Sequence, residues 1–172
     1  MTTLVVGLGS NHGDDQAGWL VTEMLKELRS DSDSFISRRG RVPLDLLDWL
    51  DGVEILHICD ACEISQVDKP SGSTRMLEYL RGQNGRLADS TAPENTVTAA
   101  RIRTRGSHDF ELPAVLQLAE QLGKLPDHVF LWAIPGSRFR PGDEISSETR
   151  LAVRIAAEQL LHAIRGNSAC ER

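Results

Sequence analysis

Leu4-Val5-Val6-Gly7-Leu8-Gly9-Ser10-Asn11-His12-Gly13-Asp14-Asp15-Gln16-Ala17-Gly18 is the stretch whose reading decides the fold. Residues 3–9 are a short β-branched apolar run closed by glycine, the pattern of a buried strand. Beyond them Ala17, Leu20, Val21, Met24, Leu25 and Leu28 recur at helical spacing and form one apolar stripe. A strand, a glycine turn and a helix in that order prepare a phosphate site, because a helix N-terminus offers free N–H groups and a partial positive charge. Here the turn carries two adjacent carboxylates, which repel an anion and welcome a cation. That inversion points away from nucleotides and towards a metal. Gly7-x-Gly9-x-x-x-Gly13 imitates a dinucleotide fingerprint, but the third glycine falls one position late and His12 takes its place. Asp14 or Asp15 is also placed to cap the helix.

Working outward, the spacing predicts a strand over 34–39 and a short helix over 43–50 with Pro43 in its first turn. Strands follow over 53–60 and 74–80. Residues 81–98 are polar and rich in turn formers, and read as one long loop. Leu112, Val115, Leu116, Ala119 and Leu122 predict a third helix, stopped by Gly123 and Pro126. His128 to Ile134 reads as the last strand. Val153, Ala156, Ala157, Leu160, Leu161 and Ile164 stripe a final helix, which Gly166-Asn167 is expected to end. Strands alternating with helices imply an α/β fold, a parallel or mixed sheet covered on both faces, with ligands at the carboxyl ends of its strands. No repeat or linker divides residues 1–172, so one domain is expected.

The net charge of −6 disfavours sequence-independent nucleic-acid binding, which rests on clustered Lys and Arg. No apolar run approaches the roughly 20 residues that span a membrane. Met1-Thr2-Thr3 leads directly into a strand, so no signal peptide is expected. The three cysteines make no disulfide framework, and a cytoplasmic location follows as the default.

Three strand or loop ends offer ligating side chains: Asp14 and Asp15, Asp60, and His108 in Gly106-Ser107-His108-Asp109. Brought to one edge of the sheet, two carboxylates and an imidazole suit zinc, nickel or cobalt. Taken singly, an aspartate at a strand–helix junction is more often a cap, and a histidine before a helix more often a surface residue. Cys59-Asp60-Ala61-Cys62 is a C-x-x-C at a strand end rather than at a helix start, which disfavours a thioredoxin-like pair. Its bland reading is a buried Cys59 beside a semi-exposed Cys62, with Cys170 distant in a polar tail. Arg101, Arg103 and Arg105 alternate as on one strand face, fit either for a carboxylate partner or for plain solvation. No serine sits in a nucleophile elbow.

The order of these motifs resembles the hydrogenase maturation proteases, which remove the C-terminal tail of a nickel–iron hydrogenase large subunit. Gly7-Leu8-Gly9-Ser10 with Asp14-Asp15-Gln16-Ala17-Gly18 is similar to that family's first motif, and Ile58-Cys59-Asp60-Ala61 to its second. Ser107-His108 with Leu122-Gly123-Lys124-Leu125-Pro126 matches a third, and Gly142-Asp143-Glu144-Ile145-Ser146 a fourth. The resemblance implies a three-layer α/β/α sandwich with a twisted, mostly parallel sheet. It implies an endopeptidase in which Asp15, Asp60 and His108 contact nickel and carry catalysis. The metal is presented by the precursor large subunit, and zinc, cadmium or nickel can take the same groups in a crystal. The first turn is a residue shorter than in many members, which leaves Asp14 and Asp15 as alternatives. Gln16, Cys62 and Ala133-Ile134-Pro135 also depart from the family's usual residues. The rival is a non-catalytic accessory protein that binds a metal-loaded partner through the same acidic cleft.

Overall fold

The computed structural model describes residues 1–63, 74–83, 86–89, 96–98, 103–104 and 112–169. In chain order come β1 (Thr3–Leu8), a 3-10 turn (Gly13–Gln16), α1 (Ala17–Leu28), β2 (Ile36–Gly40) and a second 3-10 turn (Pro43–Asp48). Then follow β3 (Ile55–Glu63), β4 (Arg75–Leu80), β5 (Arg86–Asp89), β6 (Thr96–Thr98) and β7 (Arg103–Thr104). The chain continues with α2 (Leu112–Gln121), β8 (His128–Pro135) and α3 (Ser147–Ala169).

The sheet has eight strands in the order β2-β1-β3-β8-β4-β5-β6, with β7 against the end of β3. Its centre, β2-β1-β3-β8, is parallel. β4, β5 and β6 extend it as antiparallel strands, and β7 pairs antiparallel with Cys62 and Glu63. β1 is buried along its whole length, as a strand covered on both faces must be. Its alternate side chains serve two cores. Leu4, Val6, Leu56 and Ile58 join Leu46, Leu50, Leu112 and Leu116, so α2 and the second 3-10 turn cover one face. Val5, Cys59, Trp132 and Ile134 join Val21, Leu25, Ala156 and Leu160, so α1 and α3 cover the other. The arrangement is the expected α/β/α sandwich. Arg165 reinforces the second layer by donating from Nε and Nη2 to the two carboxylate oxygens of Asp33, at 2.8 and 2.7 Å.

Three expectations need correction. The stretch 81–98 is not one loop: Gly82, at φ 68°, turns the chain so that β5 returns along β4, and β6 pairs with β5. Strands and helices therefore do not alternate through this region. α3 also runs past Gly166-Asn167 to Ala169, because Gly166 does not take the positive φ of a helix-ending glycine. Neither aspartate caps α1: Gln16 stands at its N-cap with no side-chain hydrogen bond, because Asp14 points elsewhere.

β1 lies between β2 and β3, so the chain leaves it in opposite directions and the switch point falls between β1 and β3. In open α/β sheets that is where a ligand crevice opens, beyond the carboxyl ends of the strands.

Candidate functional site

The turn after β1 and the end of β3 flank that switch point. The glycines of the first turn make room for packing rather than for phosphate. A Cβ on Gly7 would collide with the Gly18 carbonyl, and one on Gly18 with the carbonyls of Leu8 and Cys59. These two glycines let the start of α1 rest directly on β1 and β3. Gly9, at φ 146°, passes against the Asp15 carbonyl, where any side chain would clash.

The two adjacent aspartates do different work. Asp14 is fully buried. Its Oδ2 accepts the backbone N–H groups of Ser137 (2.7 Å) and Arg138 (2.9 Å) and the Ser146 hydroxyl (3.1 Å). Its Oδ1 accepts the Ser146 N–H at 2.7 Å. Burial by itself raises the carboxyl's pKa, but the bonds from Ser137, Ser146 and Arg138 outweigh it and hold the group below its ordinary value. With its acceptors spent on the loop between β8 and α3, Asp14 has a structural task. Ser146, at the mouth of α3, also accepts the Thr149 N–H at 3.2 Å, and the Thr149 hydroxyl donates to the Pro135 carbonyl at 2.9 Å. Ser146, at the end of the fourth motif, thus has a physical role that spacing did not reveal: it clamps the first turn in place.

Asp15 is half-buried and makes no side-chain hydrogen bond among the described residues. Asp60, on β3, is 5 % exposed. Desolvation, then the charge of the nearby Asp15, push its pKa up to about 8, so it holds a proton at neutral pH. A buried protonated carboxyl facing a second carboxyl is an arrangement that active sites use to separate acid and base roles. Two ionised carboxyl groups repel, and in the pair Asp15–Asp60 that repulsion helps keep Asp60 protonated. His108 and Ser107 lie outside the described residues, as do Arg101, Arg105 and Cys170. Arg103 begins β7, which pairs with the end of β3 just past Asp60. Among the described residues no three His, Cys, Asp or Glu side chains gather as a metal-binding set.

The C-x-x-C differs from its bland reading in one respect: Cys62 is as buried as Cys59. β8 on one side and β7 on the other pair with the end of β3. Burial, then the charge of Asp60, raise both thiols well above their ordinary pKa. Three positions apart on a strand, they point to opposite faces. Neither has the low pKa or the geometry of a redox pair.

Neither any family model nor any curated protein sequence matches the chain. Solved structures do. The hydrogenase maturating endopeptidase HybD from Escherichia coli aligns with a TM-score of 0.71 at 20% identity, over 97% of this chain and 94% of that one. The chain shares the fold of the hydrogenase maturation endopeptidases. A solution structure of an endopeptidase from Escherichia coli gives 0.74 at 22% identity, over 97% and 94% of the two chains. The [NiFe] hydrogenase maturation protease HycI from Thermococcus kodakarensis KOD1 gives 0.64 at 20% identity, over 95% and 92%. The resemblance carried by the four motifs is borne out at the level of fold. No helix among the described residues is long and apolar enough to cross a membrane.

Proposed function

We propose that this protein is an endopeptidase that removes the C-terminal tail of a nickel–iron hydrogenase large-subunit precursor. The observation that carries the reading is the carboxyl pair Asp15–Asp60 at the switch point of this particular fold. The substrate arrives with nickel already held by its own side chains. Asp15 and Asp60 offer oxygen donors and His108 an imidazole nitrogen, a set suited to a borderline metal. The protonated state of Asp60 supports an acid–base role as well. Protonated, it can donate a hydrogen bond to a substrate oxygen, and it ionises when a cation approaches. A carboxylate beside the metal can then position or deprotonate the attacking water. Recognition of the loaded metal would restrict cutting to nickel-loaded precursor, and the cut would fall near the metal.

The test is intact mass of the precursor, nickel-loaded and nickel-free, after incubation with the purified protein. Loss of a short C-terminal peptide from the loaded form alone is the expected result, and His108→Ala should abolish it without unfolding the protein. Nickel-dependent binding without cleavage would replace the protease by an accessory protein using the same cleft. Normal cleavage by the His108→Ala variant would remove that residue from the site.

A further inference from the structure

We propose that the outer edge of β2 docks an extended, acidic segment of a partner protein, which adds a strand to the sheet there. β2 ends the sheet path and pairs with β1 alone among the described residues. A terminal strand keeps a row of backbone N–H and C=O groups on its outer side, ready to pair with another chain.

The chemistry along that edge is opposite to that of the molecule. The protein's net charge is −6, yet residues 38–41 read Arg38-Arg39-Gly40-Arg41, with all three arginines exposed. Tryptophans hold two of these guanidinium groups. Arg38 lies 5.5 Å over the Trp49 ring and Arg39 lies 5.8 Å over the Trp19 ring. Adjacent residues of a strand point to opposite faces, so each face of the edge has an arginine seated on an indole. The Trp19 indole is itself fixed by donating to the Gly40 carbonyl at 2.9 Å. Glu23 pairs with Arg39. Arg38 and Arg41 have no ion-pair partner among the described residues. Ile36, 47 % exposed, shares the face of Arg38 and offers an apolar contact two positions away.

These features select one occupant. A second copy of the chain, pairing edge to edge, would set arginine against arginine, which is unfavourable across a strand pair. An acidic strand would pair its backbone with β2 and its carboxylates with Arg38 and Arg41. The strip also leads towards the site. Gly40 ends β2 level with Leu8 at the end of β1, on the edge that carries Asp15 and Asp60. A docked strand would run about three strand spacings, ~14 Å, from β3. The inference rests on the open edge and its arginines, and stands whether or not the protein is a protease.

The experiment is fluorescence anisotropy with a labelled peptide of Thr-Val-Glu-Glu repeats, about twelve residues long, added to the full chain. A peptide with lysine in place of glutamate and a single-stranded oligothymidylate of similar length serve as controls. Saturable binding of the acidic peptide alone is expected, weakened about tenfold or more in Arg38→Glu/Arg41→Glu and by added salt. Arg38→Lys/Arg41→Lys should keep most of it. Hydrogen exchange should show new protection in residues 36–39. No binding up to about 1 mM, equal binding of the lysine peptide, unchanged affinity in the glutamate variant, or protection elsewhere would overturn the proposal. Tighter binding of the oligonucleotide would overturn it too, in favour of a nucleic-acid surface.

Discussion

The Asp14 carboxylate accepts the backbone N–H of Ser146 at 2.7 Å, although 132 positions separate the two residues. This contact and its companions to Ser137 and Arg138 fasten the first turn, and with it Asp15, to the loop that precedes α3.

Asp14→Ala should therefore destabilise the fold by about 3 kcal/mol, since it strands several buried donors at once. Because the carboxyl's pKa is lower folded than unfolded, its contribution is present above about pH 3.8 and fades as pH falls below it. Chemical denaturation at pH 7 and pH 3 reads both effects: a large gap between variant and parent at the first, a smaller one at the second. An equal gap at the two pH values would show that the charge plays no part.

Asp60 makes the opposite prediction. Its pKa rises to about 8 on folding, so the unfolded chain ionises first and stability drains away between about pH 4 and pH 8. Asp60→Asn removes that cost. It should raise the melting temperature at pH 8 by roughly 5 °C, for a gain of about 2 kcal/mol, while cleavage is lost. The gap should close as pH falls below about 3.8, where the parent carboxyl becomes neutral in both states. A variant less stable than its parent at pH 8 would mean that the buried carboxyl is not strained.

His57 adds a second pH-dependent term, three positions before Asp60 on the same strand. It is buried on β3, its Nδ1 accepts the Trp132 indole N–H at 3.1 Å, and its Nε2 has no hydrogen-bond partner among the described residues. Burial lowers its pKa to about 3, so stability is full above about pH 6.5 and falls as pH drops towards 3. His57→Phe should flatten this acid limb, at the expense of an unpaired Trp132 indole worth about 1–3 kcal/mol at neutral pH. Denaturant midpoints measured across pH 3–7 decide it; an unchanged slope would place the acid sensitivity elsewhere.

The cysteines of β3 should be inert. Peptides containing Cys59 and Cys62 are expected to resist alkylation in the native protein and to react after denaturation, because both thiols are buried with raised pKa. Rapid native labelling of either one, read by peptide mass mapping, would revive a redox role.

What the sequence determined by itself is local. The apolar run of β1 and the helical stripes of α1 and α3 were legible because each is written within a few consecutive turns of chain. The glycines around Asp14-Asp15 marked the turn, and the motif order marked the fold. β5 was not legible. Its polar residues suit a loop, and its strand state comes from pairing Arg86–Asp89 with Leu77–Leu80. Nor could the sequence divide labour between Asp14 and Asp15, which are chemically identical neighbours. Tertiary structure decided it, by bringing donors from residues 137, 138 and 146 to one carboxylate and leaving the other beside Asp60. The same holds for Cys62, which is buried at the end of β3, where the strand is flanked by β7 and β8. Burial and hydrogen-bond partners are set by what distant segments bring to a residue, and these are the quantities that fix a side chain's charge and its chemistry.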